Sequence, residues 1–91
     1  MKIDNGILTL HEGESLENCV RTISYIIGED LMNSHGHVDH LSLCDQIARD
    51  NGYHDGLYDP SLANLSTSVE NNPDPITFFL PEWVSRLVNN P

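Results

Sequence analysis

Positive charge is what this sequence has least of. Only 4 of its 91 residues are Lys or Arg, against 14 Asp and Glu, and the formal charge at pH 7 is −10. That balance argues against direct contact with nucleic acid, because phosphates are held by Lys and Arg. The basic and aromatic interleaving of nucleic-acid binders is missing too. Long apolar runs are absent: none approaches the roughly 20 residues that span a bilayer. The opening Met1-Lys2-Ile3-Asp4-Asn5 lacks the apolar core of a signal peptide. The expectation is a cytoplasmic protein with no membrane partner. Cysteine is limited to Cys19 and Cys44, without CxxC spacing. Both are expected as buried thiols on apolar helix faces, since a disulfide would need an oxidising environment. There is no G-x-S-x-G, no glycine-rich phosphate loop and no catalytic cysteine context. The expectation is therefore a protein that is not an enzyme and carries no cofactor.

What is present is enough apolar sequence, 38% of the chain, for one compact fold. Residues 1–91 read as a single acidic globular domain. The clearest pattern runs from Ser15 to Leu31. Leu16, Cys19, Val20, Ile23, Ile26 and Ile27 recur at helical spacing, and Glu17, Asn18, Arg21 and Glu29 point away from them. Ser15 is a suitable N-cap, and Glu17 and Arg21 form an i, i+4 pair. Gly28 weakens the last turns, so this helix is expected to fray between Glu29 and Met32. Asn33 to Gly36 then reads as a connection.

A second helix is expected from Val38 or Asp39 to Asp50. Val38, Leu41, Cys44, Ile47 and Ala48 form its buried face, and Leu43 widens it. Its polar strip of Ser42, Asp45, Gln46, Arg49 and Asp50 is narrow, which implies cover on more than one side. Asn51-Gly52 is a helix stop. Tyr53 to Asp59 is rich in turn residues. Asp59-Pro60 opens a third helix of about ten residues through Leu62, Leu65 and Val69. Asn71 to Pro75 breaks the chain. Pro81 to Val88 is a terminal helix with Trp83, Val84, Leu87 and Val88 on one face. Ile76 to Leu80 reads either as a helical turn or as a strand paired with Ile7 to Leu10, and Asn5-Gly6 is a turn. The fold class is mainly α: a small single-domain helical fold of three to four helices, with a short two-stranded β pairing as an option.

One motif bears on metal chemistry. His35-Gly36-His37-Val38-Asp39-His40 reads H-x-H-x-D-H, which resembles the zinc-ligand motif of the metallo-β-lactamase superfamily. The resemblance implies one metal on His35 and His37 and a second on Asp39 and His40, with a metal-bound hydroxide as nucleophile. It covers six residues. In that family the motif follows a buried strand of an αββα sandwich more than twice this length, whereas here Glu29 to Ser34 end a helix. Read from their own surroundings, His35 and His37 are solvated loop residues. His40 is a partly buried histidine with a local hydrogen bond, and Asp39 is the N-cap of the second helix. The alternative function is a small metal-binding regulatory domain built on His35, His37, Asp39 and His40.

The acidic residues remain. Glu12, Glu14 and Glu17 precede or open the first helix. Asp45, Asp50, Asp55 and Asp59 follow at four- or five-residue spacing along the second helix and its outgoing loop. A line of carboxylates with few countercharges repeats the charge pattern of a phosphate backbone. In size and composition the chain resembles small acidic inhibitors that phages and mobile elements direct against host defence or transcription proteins. These seven residues are the candidate partner-binding set. The expected partner is a basic protein, one that itself binds nucleic acid. A third reading is an oligomerisation module in which Trp83 and the Phe78-Phe79 pair provide an apolar interface.

Overall fold

The computed structural model describes residues 1–11, 13–63 and 76–88. Among the described residues the chain is mainly helical, with a small antiparallel sheet. Strands β1 (Lys2–Asp4), β2 (Ile7–Leu10) and β3 (Ile76–Phe79) lie in the order β1-β2-β3. The helices are α1 (Leu16–Ile27), α2 (Glu29–Ser34), α3 (His40–Asp50), α4 (Pro60–Ala63) and α5 (Glu82–Val88). A 3-10 turn, Gly56–Tyr58, follows α3.

The sheet begins at Asn5-Gly6. Both residues have positive φ, +51° and +78°, the geometry of the tight type I′ hairpin turn whose twist matches its strands. The turn pairs Asp4 with Ile7 and so recruits Lys2–Asp4 as a third strand. The sequence reading allowed only two strands, because a three-residue segment carries too little periodicity to register. β3 pairs with β2 in the register Leu8↔Phe78 and Leu10↔Ile76. Paired residues share a face, so Leu8, Leu10 and Phe78 are buried together. Ile7, Thr9, Thr77 and Phe79 occupy the outer face. Of the segment Ile76 to Leu80, Ile76–Phe79 is thus a strand. Phe78 and Phe79 lie on opposite faces of it, so they cannot act as one apolar pair.

Helix α1 begins as its sequence requires. Ser15 Oγ accepts the backbone N–H of Asn18 at 3.2 Å. Its buried side is Leu16, Cys19, Val20, Ile23 and Ile27. Ile26 is exposed, because it falls at the margin of that arc. The helix does not fray after Gly28. Gly28 takes φ +93°, a conformation costly for any side chain, and the chain changes direction there. Its N–H closes α1 on Ser24 C=O at 2.9 Å, and its own C=O accepts Met32 N–H at 3.0 Å to start α2.

The end of α2 decides where His37 lies. Gly36 N–H donates to Asn33 C=O at 3.0 Å, and His37 N–H donates to Met32 C=O at 2.9 Å. These are the paired bonds of a Schellman terminus, which folds the second residue after the cap back onto the helix. His37 is buried as a result, not solvated. Asp39 then caps α3 by accepting Ser42 N–H at 2.9 Å. The extended backbone of the cap keeps Val38 out of the helix. It is 81% exposed, although helical spacing would have buried it.

Helix α3 buries Leu43, Cys44, Ile47 and Ala48, with Leu41 half-buried. It touches α1 on one side and β3 and the 3-10 turn on others, so the cover implied by its narrow polar strip is present. Its end repeats the Schellman pattern through Gly52 and Tyr53. Asn51 does more than stop the helix. Its amide accepts Phe79 N–H at 2.8 Å and donates to Phe79 C=O at 3.0 Å and to Ile47 C=O at 2.7 Å. One side chain thus takes the place of a neighbouring strand along the open edge of β3. Helix α5 packs against α1, with Val84 buried and Pro81 at the cap position before its first turn. Of the third predicted helix only Pro60–Ala63 is described; Leu65 and Val69 lie outside the described residues.

Ile23 and Ile47 are both fully buried in the shared core. Changing either to Ala should lower stability by about 2–5 kcal/mol, read as a shift in the urea midpoint. Asn51→Ala removes the three hydrogen bonds of its amide, the two to Phe79 at solvent-exposed positions, and should cost about 0.5–1.5 kcal/mol. In hydrogen exchange, the amide of Phe79 should lose its protection while those of α1 keep theirs.

Candidate functional site

The seven acidic candidates do not form one uniform ridge. Asp45 turns towards the loop that leaves α3. Its Oδ1 accepts Leu57 N–H at 2.9 Å, and its Oδ2 accepts Arg49 Nε at 3.0 Å. Arg49 Nη1 donates onward to His54 C=O at 2.9 Å. Gly56 passes so close that a Cβ there would collide with the Asp45 carboxylate, which is why the buried position is glycine. Asp45 is therefore the post to which the Tyr53–Asp59 segment is tied. The Leu57 amide, with Arg49 second, holds its carboxyl below the usual range.

Asp59 has a similar local task. Its Oδ1 accepts Ser61 N–H at 2.9 Å at the start of α4, and its Oδ2 accepts Asp55 N–H at 3.2 Å. The Ser61 and Asp55 amides lower its acidity range as well. Asp50 and Asp55 differ from these two. Both are exposed, and among the described residues no ion pair falls on either. Asp50 is the last residue of α3, where the partial negative charge of the helix end opposes a carboxylate.

Near the first helix, Glu14 binds the N-terminal amine of Met1 and accepts His11 N–H at 2.7 Å. The amine is the main reason its carboxyl is held low. Glu17 Oε1 stands 3.7 Å from Arg21 Nη2 and 3.8 Å from His40 Nε2, linking α1 to the start of α3. Glu12 lies outside the described residues.

The three arginines are engaged in a regular way, while Lys2 is exposed on β1. Each arginine pairs with an acid four residues earlier on its own helix: Arg21 with Glu17, Arg49 with Asp45 at 3.0 Å, and Arg86 with Glu82 at 2.6 Å. Such exposed pairs contribute little to stability. They do leave the other exposed carboxylates, Asp4, Glu29, Asp30, Asp39, Asp50 and Asp55, without an arginine among the described residues.

The four members of the H-x-H-x-D-H motif are not brought to one point. The His35 ring stacks on Trp83 with centroids 4.0 Å apart and planes 4° from parallel. His37 Nδ1 is 2.9 Å from Ser42 Oγ, and its ring lies 5.8 Å from Trp83. His40 Nε2 is closed off from solvent without the expected hydrogen bond and faces Glu17. Asp39 caps α3. Among the described residues no group of three or more His, Cys, Asp or Glu is placed to hold a metal ion.

Both cysteines are buried and unpaired. Burial, with the charge of Glu14 second, pushes the Cys19 thiol up to about 11. Burial and the charges of Glu17 and Asp45 push Cys44 up to about 12. A thiol so far from ionisation is a poor nucleophile near neutral pH.

Sequence reasoning passed over two features. Asn51 carried only a helix-stop signal, although an Asn at that position has an amide able to bridge two elements. The Glu17–His40 approach joins residues far apart in sequence and left no local trace. No protein-family model, curated protein or solved structure matches the chain.

The two kinds of aspartate should separate in a stability measurement. Asp45→Ala should cost on the order of 1 kcal/mol, because the Leu57 amide loses its acceptor. Asp50→Asn should stay within about 0.5 kcal/mol or stabilise slightly. The carboxyl of Asp45 titrates below its unfolded value of about 3.9. Its contribution is therefore complete above that pH and is lost as pH falls through the lower folded value. Urea midpoints of wild type and Asp45→Asn should converge below about pH 4.

Proposed function

We propose that this chain is a small acidic binding protein, acting in the cytoplasm, that engages the basic surface of a nucleic-acid-binding protein and competes there with nucleic acid. It works as a steric and electrostatic inhibitor rather than as an enzyme. The observation that carries this reading is the distribution of charge. The arginines are neutralised within their own helices, while Asp50 and Asp55 stand exposed at the end of α3 and in the loop beyond it. Asp50 in particular opposes its helix dipole, so its charge does not serve the helix that bears it. A cationic partner surface would relieve both the local repulsion and the general excess of −10. The scattered engagement of His35, His37, Asp39 and His40 gives the metal-binding alternative no comparable support.

The test uses Asp50 and Asp55 alone, because Asp45 and Asp59 also hold the fold. Immobilised wild type and the Asp50→Asn/Asp55→Asn double variant would capture proteins from a lysate of the natural host at about 0.05 and 0.5 M salt. Captured proteins should be basic, bind nucleic acid and be displaced by duplex DNA. The double variant should bind them roughly tenfold more weakly at low salt, equivalent to about 1.4 kcal/mol. High salt should shrink the difference, because screening shortens the reach of exposed charges. Binding that ignores salt, DNA and both substitutions would overturn the proposal.

A further inference from the structure

A groove at the opposite end of α3 has a different character from the Asp50–Asp55 region. It lies where α1, α2 and the approach to α3 meet, and has a volume of about 300 Å³. Its walls include Tyr25 and Val38, which are 80% and 81% exposed. Its floor includes Met32, which is buried, beside the bend at Gly28. Two exposed carboxylates, Glu29 and Asp39, stand at its edge. Asp39 has one oxygen committed to the Ser42 amide, and Glu29 has no cation beside it among the described residues.

We infer that this groove docks a cationic amphipathic segment of a partner protein, with one bulky apolar side chain between Tyr25 and Val38 and flanking Lys or Arg on Glu29 and Asp39. The inference rests on the reading of an acidic protein that meets a basic partner, and it gives that partner a second, apolar requirement. Size supports an anchor side chain over a free small molecule. Ligand pockets run from roughly 300 to 1,000 Å³, and this groove is open and at the small end. Charge complementarity selects the flanks. With carboxylates at the rim and no Lys or Arg in the lining, an acidic segment is repelled and a basic one attracted. The backbone prepares the surface: Tyr25 lies on the face of α1 opposite its buried arc, and the extended Asp39 cap keeps Val38 out of α3. Both therefore bring apolar area to a contact without loss of core packing.

The inference is tested with ¹⁵N-labelled full chain and three synthetic peptides of about 14 residues: an amphipathic Leu/Lys helix, its Leu/Glu counterpart, and a Ser/Lys peptide of equal charge without Leu. The Leu/Lys peptide should shift the amides of Tyr25, Gly28, Met32 and Val38 saturably. It should bind at least tenfold more tightly than the Ser/Lys peptide, and the Leu/Glu peptide should not bind. Val38→Ser and Tyr25→Ser should each weaken the Leu/Lys peptide several-fold while leaving the unfolding midpoint near that of wild type. Shifts confined to the surroundings of Asp50 and Asp55, equal for both Lys peptides, would overturn the groove while leaving the acidic surface reading in place. Failure of every Lys peptide to bind would overturn the groove and count against the acidic surface as well. Concentration-dependent shifts at Tyr25 and Val38 without peptide would assign the groove to a second copy of the chain and overturn the inference.

Discussion

The two-sided burial of α3 is the constraint on which the rest of the structure depends. Leu43, Cys44, Ile47 and Ala48 occupy so much of its circumference that it must be enclosed by α1, the sheet and the outgoing turn at once. A small domain has little core to spare, so each contact to α3 is completed by polar groups at its edges. Asn51 supplies the missing strand partner of Phe79 at one end. Asp45 receives the Leu57 amide on the other flank. Each such bond contributes about 0.5–1.5 kcal/mol net and fixes where β3 and the outgoing turn lie against α3.

This division of labour reorganises the acidic surface. A carboxylate bound to backbone amides is a positioned acceptor whose charge is largely used where it stands. Asp45 and Asp59 belong to that kind. Asp50 and Asp55 do not, and their charge is directed to solvent. The arginines add to the contrast, since each meets an acid one helical turn earlier. Part of the uncompensated charge, that of Asp50 and Asp55, thus falls on side chains with no hydrogen-bonding part in the fold, while Asp39 and Asp59 carry theirs at positions that also cap or tie the chain. At Asp50 and Asp55, surface charge and structural integrity can then vary independently.

The histidines show how tertiary packing redirects a motif. The spacing H-x-H-x-D-H invites a metal reading because imidazole and carboxylate recur within one short segment. The segment is not held as one loop, however. It includes the cap of α2, the residue folded back onto Met32, and both the cap and first residue of α3. Each of these positions turns its side chain a different way. His35 lies flat on Trp83, which comes from the far end of the chain, and His37 reaches Ser42. The same geometry leaves Val38 outside, where periodicity alone would have buried it.

Local sequence determined the parts of this protein that rest on local physics. The Ser15 and Asp39 caps, the Asn5-Gly6 turn, the apolar arcs of α1 and α3, the burial of Cys19 and Cys44, and the excess of negative charge all follow from neighbouring residues. Their energies depend on spacings of one to four positions. Only the tertiary structure decided the rest. The third strand exists because a turn and a partner strand support three residues that have no period of their own. The break at Gly28, the burial of His37 and the exposure of Val38 follow from how helix ends turn to meet other elements. The separation of structural from free aspartates depends on Leu57 and Ser61 amides brought near by loop geometry. A side chain's hydrogen-bond partner can come from anywhere along the chain, so no spacing rule could have named it.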